Sequence, residues 1–249
     1  MAGRSADNET TTLAPMPGSS EQPRHHVIAI DGPSGSGKSS VSKAAASTFG
    51  FRYLDTGAMY RAVALWMSEH GVDVNDVAAV AANVENVVLA SGTDPLNPGI
   101  FVDGRNVEAA IRTEDVTSAV SAVSAVPAVR TAMVARQRAE VEEAVAAGTG
   151  IVVEGRDIGT TVLPNADLKV FLTADQEARA ARRAAQDEAE GRGGEVEATA
   201  ESLAARDAAD SSRKASPLTK AEGAIEIDAT FLSFPEVVAQ VESLIRGVQ

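Results

Sequence analysis

Short apolar runs alternate along the chain with longer amphipathic stretches, and this order predicts an α/β fold. Three runs, at 27–30, 151–153 and 168–172, are typical of strands buried in a parallel sheet, and 51–54 and 225–228 add two shorter strand candidates. Helical spacing fills the intervals between them, so we expect a parallel sheet with helices on both faces. The predicted helices cover 38–49, 57–70, 113–147 with a break before Pro127, 175–189, 196–209 and 235–245.

The helix predicted over 57–70 has a clear apolar stripe, since Met59, Val63, Trp66 and Met67 recur at helical spacing. Arg61 lies about 200° around that helix from Met59. It therefore points away from the stripe, and an arginine held on a rigid helix in this way can line a cleft.

Two segments differ from the alternating pattern. Residues 86–112 contain short β-like pieces separated by Ser91-Gly92, Asn97-Pro98-Gly99 and Asp103-Gly104, which predicts a small antiparallel insertion. Residues 1–24 are polar and rich in Ser, Thr and Pro, and we expect a disordered tail before a folded unit that covers 25–249.

Composition excludes several classes of function. The 249 residues carry 35 acidic and 22 basic side chains, a formal net charge of −13, which argues against general binding to nucleic acid. The absence of cysteine excludes disulfides and thiolate metal sites. No run is long enough to span a membrane and no secretory signal is recognisable, so we expect a cytoplasmic protein without membrane partners. Arginine outnumbers lysine, which reflects either base composition or recognition of phosphate.

The segment from Gly32 to Ser39 matches the phosphate-binding loop G-x-x-x-x-G-K-[ST], and it lies between a predicted strand and a predicted helix. Inward-pointing backbone N–H groups can surround a phosphate there, with Lys38 at the β- and γ-phosphates and the Ser39 hydroxyl on Mg²⁺. A plain glycine-serine turn that caps a helix is the alternative. The candidate ATP-binding residues are Gly32, Pro33, Ser34, Gly35, Ser36, Gly37, Lys38, Ser39 and Ser40.

Candidates for the acceptor side lie near predicted strand ends. Glu154, Arg156 and Asp157 follow the run 151–153, at the edge where open α/β sheets bind ligands, although an exposed turn would have the same spacing. Asp55 opens the helix that carries Arg61, and a simple N-cap explains it equally well.

A second group of candidates follows helical spacing further along the chain. Arg206, Asp210 and Arg213 share one face if the helix predicted there continues, and a surface ion pair is the alternative. The chain contains neither an Asn-Lys-x-Asp sequence, which a GTPase needs to read its base, nor the Leu-Ser-Gly-Gly signature of transport ATPases. A small-molecule kinase is therefore favoured over either.

These motifs, taken together and in order, resemble those of bacterial cytidylate kinases over residues 26–247. The resemblance rests on Gly32–Ser39, Asp55-Thr56-Gly57-Ala58-Met59-Tyr60-Arg61, Ile111-Arg112-Thr113 with Ser121, Val129-Arg130 with Arg136-Gln137-Arg138, Gly155-Arg156-Asp157-Ile158-Gly159-Thr160, and Arg206, Asp210 and Arg213 with Pro217-Leu218. It implies a nucleoside monophosphate kinase: a five-stranded parallel core, an NMP-binding insertion at about 58–125 and a helical lid at about 182–206. It also implies a monomer that transfers a phosphoryl group from ATP, with Mg²⁺, to CMP or dCMP.

The resemblance further implies a role for each matching residue. Thr56, Ser121, Arg130 and Asp157 would contact cytosine, Arg61 and Arg156 the CMP phosphate, and Arg206 and Asp210 the sugar; Arg182, Arg183 and Arg213 would join Lys38 and Arg156 at the transferring phosphoryl group, and Ser39 and Glu154 would hold the metal. Two features depart from the family pattern: some members have Asp where this chain has Glu154, and the stretch 187–201 is unusually acidic. A P-loop kinase of another acceptor and a non-catalytic nucleotide-binding module are the competing hypotheses.

Overall fold

Eight strands and eight α-helices make up the fold, which is taken from a computed structural model that describes residues 26–189, 191, 196–213 and 216–248. The predicted tail at 1–24 lies outside the described residues, as do residues 190 and 192–195 of the acidic stretch. In chain order the elements are β1 (Val27–Asp31), α1 (Lys38–Phe49), β2 (Arg52–Asp55), α2 (Thr56–Glu69), α3 (Val77–Asn83), β3 (Leu89–Gly92), β4 (Gly99–Val102), β5 (Arg105–Asn106), α4 (Glu114–Ala125), α5 (Pro127–Ala146), β6 (Ile151–Gly155), β7 (Leu168–Thr173), α6 (Gln176–Ala189), α7 (Val196–Ser212), β8 (Ile225–Asp228) and α8 (Phe234–Arg246).

The predicted five-stranded parallel sheet is confirmed, with the strand order β2-β6-β1-β7-β8. β1 lies at its centre, and Asp31 at the end of β1 is in register with Gly155 at the end of β6. The phosphate-binding loop after β1 and the turn after β6 consequently emerge side by side at the carboxyl edge of the sheet.

Two apolar cores cover the two faces of this sheet. One core packs α1 and α8 against it, and the other packs α2, α4 and α5. The stripe predicted on α2 is buried in the second core, from Met59 to Met67. The sequence prediction for these helices is therefore confirmed in type and, within a few residues, in extent.

The predicted antiparallel insertion is confirmed as the three-stranded sheet β3-β4-β5. Two short elements were not predicted: α3, in which Val80 is the one buried residue, and a π-helical turn at Ile158–Val162. Both escape periodicity analysis because each spans only five to seven residues and presents no repeating apolar face.

No single helix among the described residues is long and apolar enough to cross a membrane. The helices α4 and α5 meet such a criterion only when they are taken as a pair, and the chain bends by 95° between them.

Asp31 connects the central strand to the turn after β6. Its two carboxylate oxygens accept hydrogen bonds from the backbone N–H groups of Ile158 and Gly159, at 2.8 and 2.7 Å. Burial raises the pKa of Asp31 to about 6, although the two N–H donors favour the ionised form. These bonds hold the π-helical turn, and the residues just before it, against the end of β1.

We expect Asp31→Ala to lower the free energy of unfolding by about 3 kcal/mol, because two buried N–H donors lose their acceptors. The matched control is Asp167→Ala, which removes a 2.7 Å bond to the N–H of Val27 at the other end of β1, where the Asp167 side chain is 45% exposed. Water can replace that acceptor, so the control should cost less than about 1 kcal/mol. Urea denaturation of both variants tests this, and equal losses would contradict the account.

Candidate active site

The backbone of the phosphate-binding loop depends on glycine, as two of its positions show. Gly37, the residue before α1, adopts φ of 92° in the left-handed region, which residues other than glycine rarely adopt. At Gly32 a Cβ atom would lie 2.0 Å from the carbonyl oxygen of Leu172. The loop can therefore lie closely against β7 and turn its N–H groups inward at the N-terminus of α1.

Lys38 is buried in this loop, and its ammonium donates to the carbonyl of Pro33 at 2.7 Å. Burial, together with the nearby Arg156 guanidinium, lowers the pKa of Lys38 to about 7. Glu154 lies close to Lys38, and burial and the charge of Asp55 raise the pKa of its carboxyl group. The surroundings of Lys38 therefore hold too little negative charge to keep its usual pKa, and a bound phosphate would supply that charge.

A cavity of about 240 Å³ opens beside the loop, and its walls have a strong positive charge. Nine cationic and four acidic side chains of the described residues line it, although the chain as a whole is acidic. Most of the predicted site residues lie on its wall: Ser34, Gly35, Gly37, Lys38, Ser39, Ser40, Thr56, Arg61, Ser121, Arg130, Glu154, Arg156, Asp157, Arg183, Arg206, Asp210 and Arg213.

Arg156 joins the phosphate-binding loop to helix α7. Its guanidinium donates to the carbonyl of Gly32 at 2.9 Å, to the hydroxyl of Ser34 at 2.7 Å and to the carboxylate of Asp210 at 2.7 Å. Asp210 in turn pairs with Arg213, at 3.0 Å. Arg156 thus lies within reach of the loop and of α7 at the same time.

Arg130 and Asp157 form a buried ion pair at another part of the wall, where their side chains are only 7% and 6% exposed. Arg130 also donates to the carbonyl of Ser124 and lies over the ring of Tyr60, 5.6 Å from its centre. The Thr56 hydroxyl lies nearby and donates to the carbonyl of Glu154 at 2.7 Å. This region offers a carboxylate, a guanidinium and a hydroxyl to a polar ring.

Arg61 points into the cavity, as its position on the helix predicts. It is held by the Ile111 carbonyl at 3.0 Å and the Thr117 hydroxyl at 2.9 Å. Burial and the proximity of Arg206 lower the pKa of Arg61 to about 9, and burial and Arg156 lower that of Arg206 to about 10. Burial is the larger cause of both shifts and the neighbouring like charge is the second, and an anionic ligand would offset them.

Ser39 and Glu154 offer the oxygen donors that a magnesium ion prefers. Both side chains line the same cavity, and the Tyr53 hydroxyl donates to Glu154 at 2.5 Å. No group of three or more metal-ligating side chains occurs among the described residues. The donor set therefore suits a magnesium ion that takes its other ligands from phosphate and water.

Arg182 differs from the other predicted residues because it does not line the cavity. Its guanidinium donates to the carbonyls of Ala229 and Leu232, in the loop after β8. Consecutive helical residues point about 100° apart, and here Arg183 lines the cavity whereas Arg182 faces the loop after β8. Gly32, Pro33 and Ser36 also lie off the wall; they act through the carbonyls that hold Arg156 and Lys38 and through the Ser36 hydroxyl, 3.5 Å from Lys38.

Comparison with known proteins agrees with this arrangement. A family model described as cytidylate kinase matches residues 28–247, which include the phosphate-binding loop, the three-stranded insertion and helices α6 and α7. The chain belongs to the cytidylate kinase family. A cytidylate kinase of Streptomyces coelicolor is 58% identical over 88% of this chain and 92% of its own length. Those of Streptomyces griseus and Geobacillus thermodenitrificans are 56% and 44% identical over 89% and 90% of this chain, and over 93% and 97% of their own lengths.

Within this cytidylate kinase site, several polar residues at or beside the cavity were not singled out from the sequence, and four of them are informative. Tyr60 and Arg112 lie in motifs that carry the resemblance, and both line the cavity. Tyr53 and Asp207 lie near predicted site residues but act through contacts that only the folded chain creates. A search for polar residues within the recognised motifs would have found the first two, whereas no motif contains the second two.

We expect Arg130→Met to lower the free energy of unfolding of the ligand-free protein by about 3 kcal/mol, because Asp157 is left buried without its partner. Adding Asp157→Asn should recover part of that loss. The control is Arg52→Met, which breaks a 2.8 Å pair with Glu143 whose side chains are 27% and 69% exposed, and it should cost less than about 1 kcal/mol. Urea denaturation distinguishes these values, and an Arg130→Met loss no greater than that of the control would contradict the buried-pair interpretation.

Proposed function

We propose that the protein transfers the γ-phosphoryl group of ATP to CMP or dCMP, giving ADP and CDP or dCDP. The observation that carries this proposal is that one cavity holds both the phosphate-binding loop with Lys38 and the buried Arg130–Asp157 pair. A donor triphosphate and an acceptor base would then share a space that Arg156 crosses. The family to which the chain belongs supports cytosine as that base.

The polar groups beside Arg130 suit a cytosine ring. Cytosine presents an amino group that donates at N4 and acceptors at N3 and O2. The Asp157 carboxylate would accept a hydrogen bond from the amino group, and Arg130 would donate to the ring acceptors. The hydroxyls of Thr56 and Ser121 would make the remaining contacts with the base. In the free protein Arg130 and Asp157 bond to each other, so the base exchanges one set of partners for another.

Cationic residues on the wall would hold the two phosphate groups. Arg61 and Arg156 grip the CMP phosphate, and Lys38 with Arg183 and Arg213 faces the phosphoryl group in transit. Arg206 and Asp210 lie where a sugar hydroxyl can bond, and a deoxyribose retains a hydroxyl group for such a bond.

The chemistry needs no general base. The acceptor is a phosphate oxygen with a second pKa of about 6, so it is mostly ionised at neutral pH. The enzyme must instead align two polyanions and offset their repulsion, and phosphoryl transfer depends mainly on that positioning. This explains why the cavity is rich in guanidinium groups and why none of the described histidines lines it.

Magnesium enters the proposal through Ser39 and Glu154, which would bind the ion together with ATP. When bound, the ion would neutralise part of the charge on the ATP phosphates. Tyr53 orients the Glu154 carboxylate for this task by its hydrogen bond.

In this proposal two regions of the chain each close on a different substrate. The NMP-binding insertion, about 58–125, closes on CMP, and the lid, about 182–206 and extending through α7, closes on ATP. Closure excludes water, which would otherwise hydrolyse ATP. In this proposal the enzyme is monomeric and cytoplasmic, and its partners are nucleotides rather than nucleic acid or membrane.

Release of ADP from ATP and Mg²⁺ tests the proposal when CMP, dCMP, UMP, AMP, GMP and shikimate are offered separately. We expect turnover with CMP and dCMP to exceed the others by at least tenfold, because only cytosine matches the donors and acceptors near Arg130. Turnover of a different acceptor would preserve the phosphate-binding loop and reject the cytosine site. ATP binding without any turnover would reject the kinase proposal.

Arg156→Ala should lower kcat/KM for CMP about 100-fold, equivalent to about 3 kcal/mol of transition-state stabilisation, which is typical for one preorganised charged donor. Arg156→Lys should recover a small part, since lysine cannot make the three bonds of the guanidinium. Arg52→Ala, at an exposed pair away from the cavity, serves as the control. A change of less than threefold in Arg156→Ala would remove Arg156 from the reaction.

A further inference from the structure

Ser34 of the phosphate-binding loop is held at each of its three polar atoms. Its backbone N–H donates to Asp207 at 3.1 Å, its carbonyl accepts from Arg179 at 3.0 Å, and its hydroxyl accepts from Arg156 at 2.7 Å. Two of these three partners, Asp207 and Arg179, have no role in the proposed reaction. They belong to the lid helices α7 and α6, so both lid helices grip one residue of the loop.

Asp207 and Arg179 also form an ion pair with each other. Their side chains are 17% and 10% exposed, and Arg179 is anchored further by a 3.0 Å bond to the carbonyl of Ala174. A charge-assisted contact that is buried and fixed at both ends has a defined geometry, unlike an exposed pair of two long side chains.

The contact matters because of where Asp207 lies around helix α7. Arg206 and Asp210 of α7, and Arg213 directly after it, line the cavity, whereas Asp207, about 100° around the helix from Arg206, contacts the backbone of the loop. We propose that Asp207 is a positioning residue that latches the lid helix α7 onto the phosphate-binding loop and so sets the distance from which Arg206, Asp210 and Arg213 reach the substrates. This inference deepens the proposed function and rests on it for its kinetic consequences.

The latch must open and close in each reaction cycle. The proposed function needs a lid that opens to admit two nucleotides and closes to exclude water, and Asp207 lies on the lid helix that would move. When the lid returns, the bond from Ser34 to Asp207 forms again. Asp207 also brings a negative charge to the loop that receives the triphosphate, so the latch favours closure while it opposes ATP binding.

These two effects separate in the variant Asp207→Ala. Without the latch, we expect kcat for CMP to fall about tenfold, because a misplaced lid holds the arginines poorly. The KM for ATP should stay the same or fall, since a carboxylate near the triphosphate is gone. Hydrolysis of ATP without CMP should rise by at least threefold relative to transfer, because water enters a lid that closes less often.

Two further variants calibrate this result. Asp207→Asn keeps one oxygen for the Ser34 N–H but loses the ion pair with Arg179, so its values should fall between those of the wild type and Asp207→Ala. Glu201→Ala removes an equal charge from an exposed position on α7 and should match the wild type. Partial misfolding would lower transfer and hydrolysis together and leave KM and their ratio unchanged, which would overturn the proposal.

Hydrogen exchange at the Ser34 amide tests the latch independently of catalysis. In the ligand-free protein the exchange measured by NMR should be at least tenfold faster in Asp207→Ala than in wild type and unchanged in Glu201→Ala. Equal exchange in all three proteins would overturn the latch, as would a tighter KM for ATP with an unchanged kcat. If the wild type fails to phosphorylate CMP, the proposed function fails, while the exchange comparison still decides whether Asp207 holds the loop.

Discussion

Repulsion among the cationic side chains of a single cavity is the interaction that the rest of the site must balance. Nine such side chains line the cavity, and burial together with their mutual proximity lowers the pKa values of Lys38, Arg61 and Arg206. Buried cationic side chains held this close together destabilise a fold unless negatively charged partners lie beside them. The free protein supplies them from its own chain, as Asp157 pairs with Arg130 and Asp210 pairs with Arg156. Two phosphorylated substrates would supply them in the complex. The same positive charge that would bind the substrates is thus what the ligand-free fold must neutralise.

The fold meets this demand by bringing distant parts of the chain to one edge of the sheet. β1, β2 and β6 end there in register, and the loops that follow them carry Lys38, Thr56 and Arg156. Asp31 fixes the turn after β6, and Arg138 reinforces it by donating to the carbonyls of Thr161 and Val162 at 2.9 Å. Helices α6 and α7 add their charges from outside the sheet, so the positions of those charges depend on contacts such as that of Asp207 with the loop. In the proposed reaction the sheet edge would hold the base and the acceptor phosphate, and α7 would complete the positive charge around the phosphoryl group.

Much of this arrangement follows from the sequence because its determinants are local. Buried strands, the α2 stripe and the phosphate-binding loop are each encoded within about a dozen consecutive residues, and the order of the motifs identified the family. The direction in which each arginine points depends on residues that are distant in the sequence. Arg182 and Arg183 are adjacent in sequence, yet only Arg183 reaches the cavity, because the loop after β8 offers carbonyls to the other face of α6. Tyr53 and Asp207 could not be singled out at all, since their partners lie 101 and 173 residues away in the chain.

A crystal structure with CMP and a non-hydrolysable ATP analogue would show whether the substrates replace the chain's own acids as partners of the cavity's cations. We expect the amino group of cytosine to lie within about 3.2 Å of the Asp157 carboxylate. We also expect the CMP phosphate to bond to Arg61 and Arg156, and the bond between Arg156 and Asp210 to lengthen or break as that phosphate replaces Asp210. CMP bound elsewhere, or in the cavity with the Arg130–Asp157 and Arg156–Asp210 pairs both unchanged and the base facing away from them, would contradict the view that the chain's own acids hold the site for its substrates.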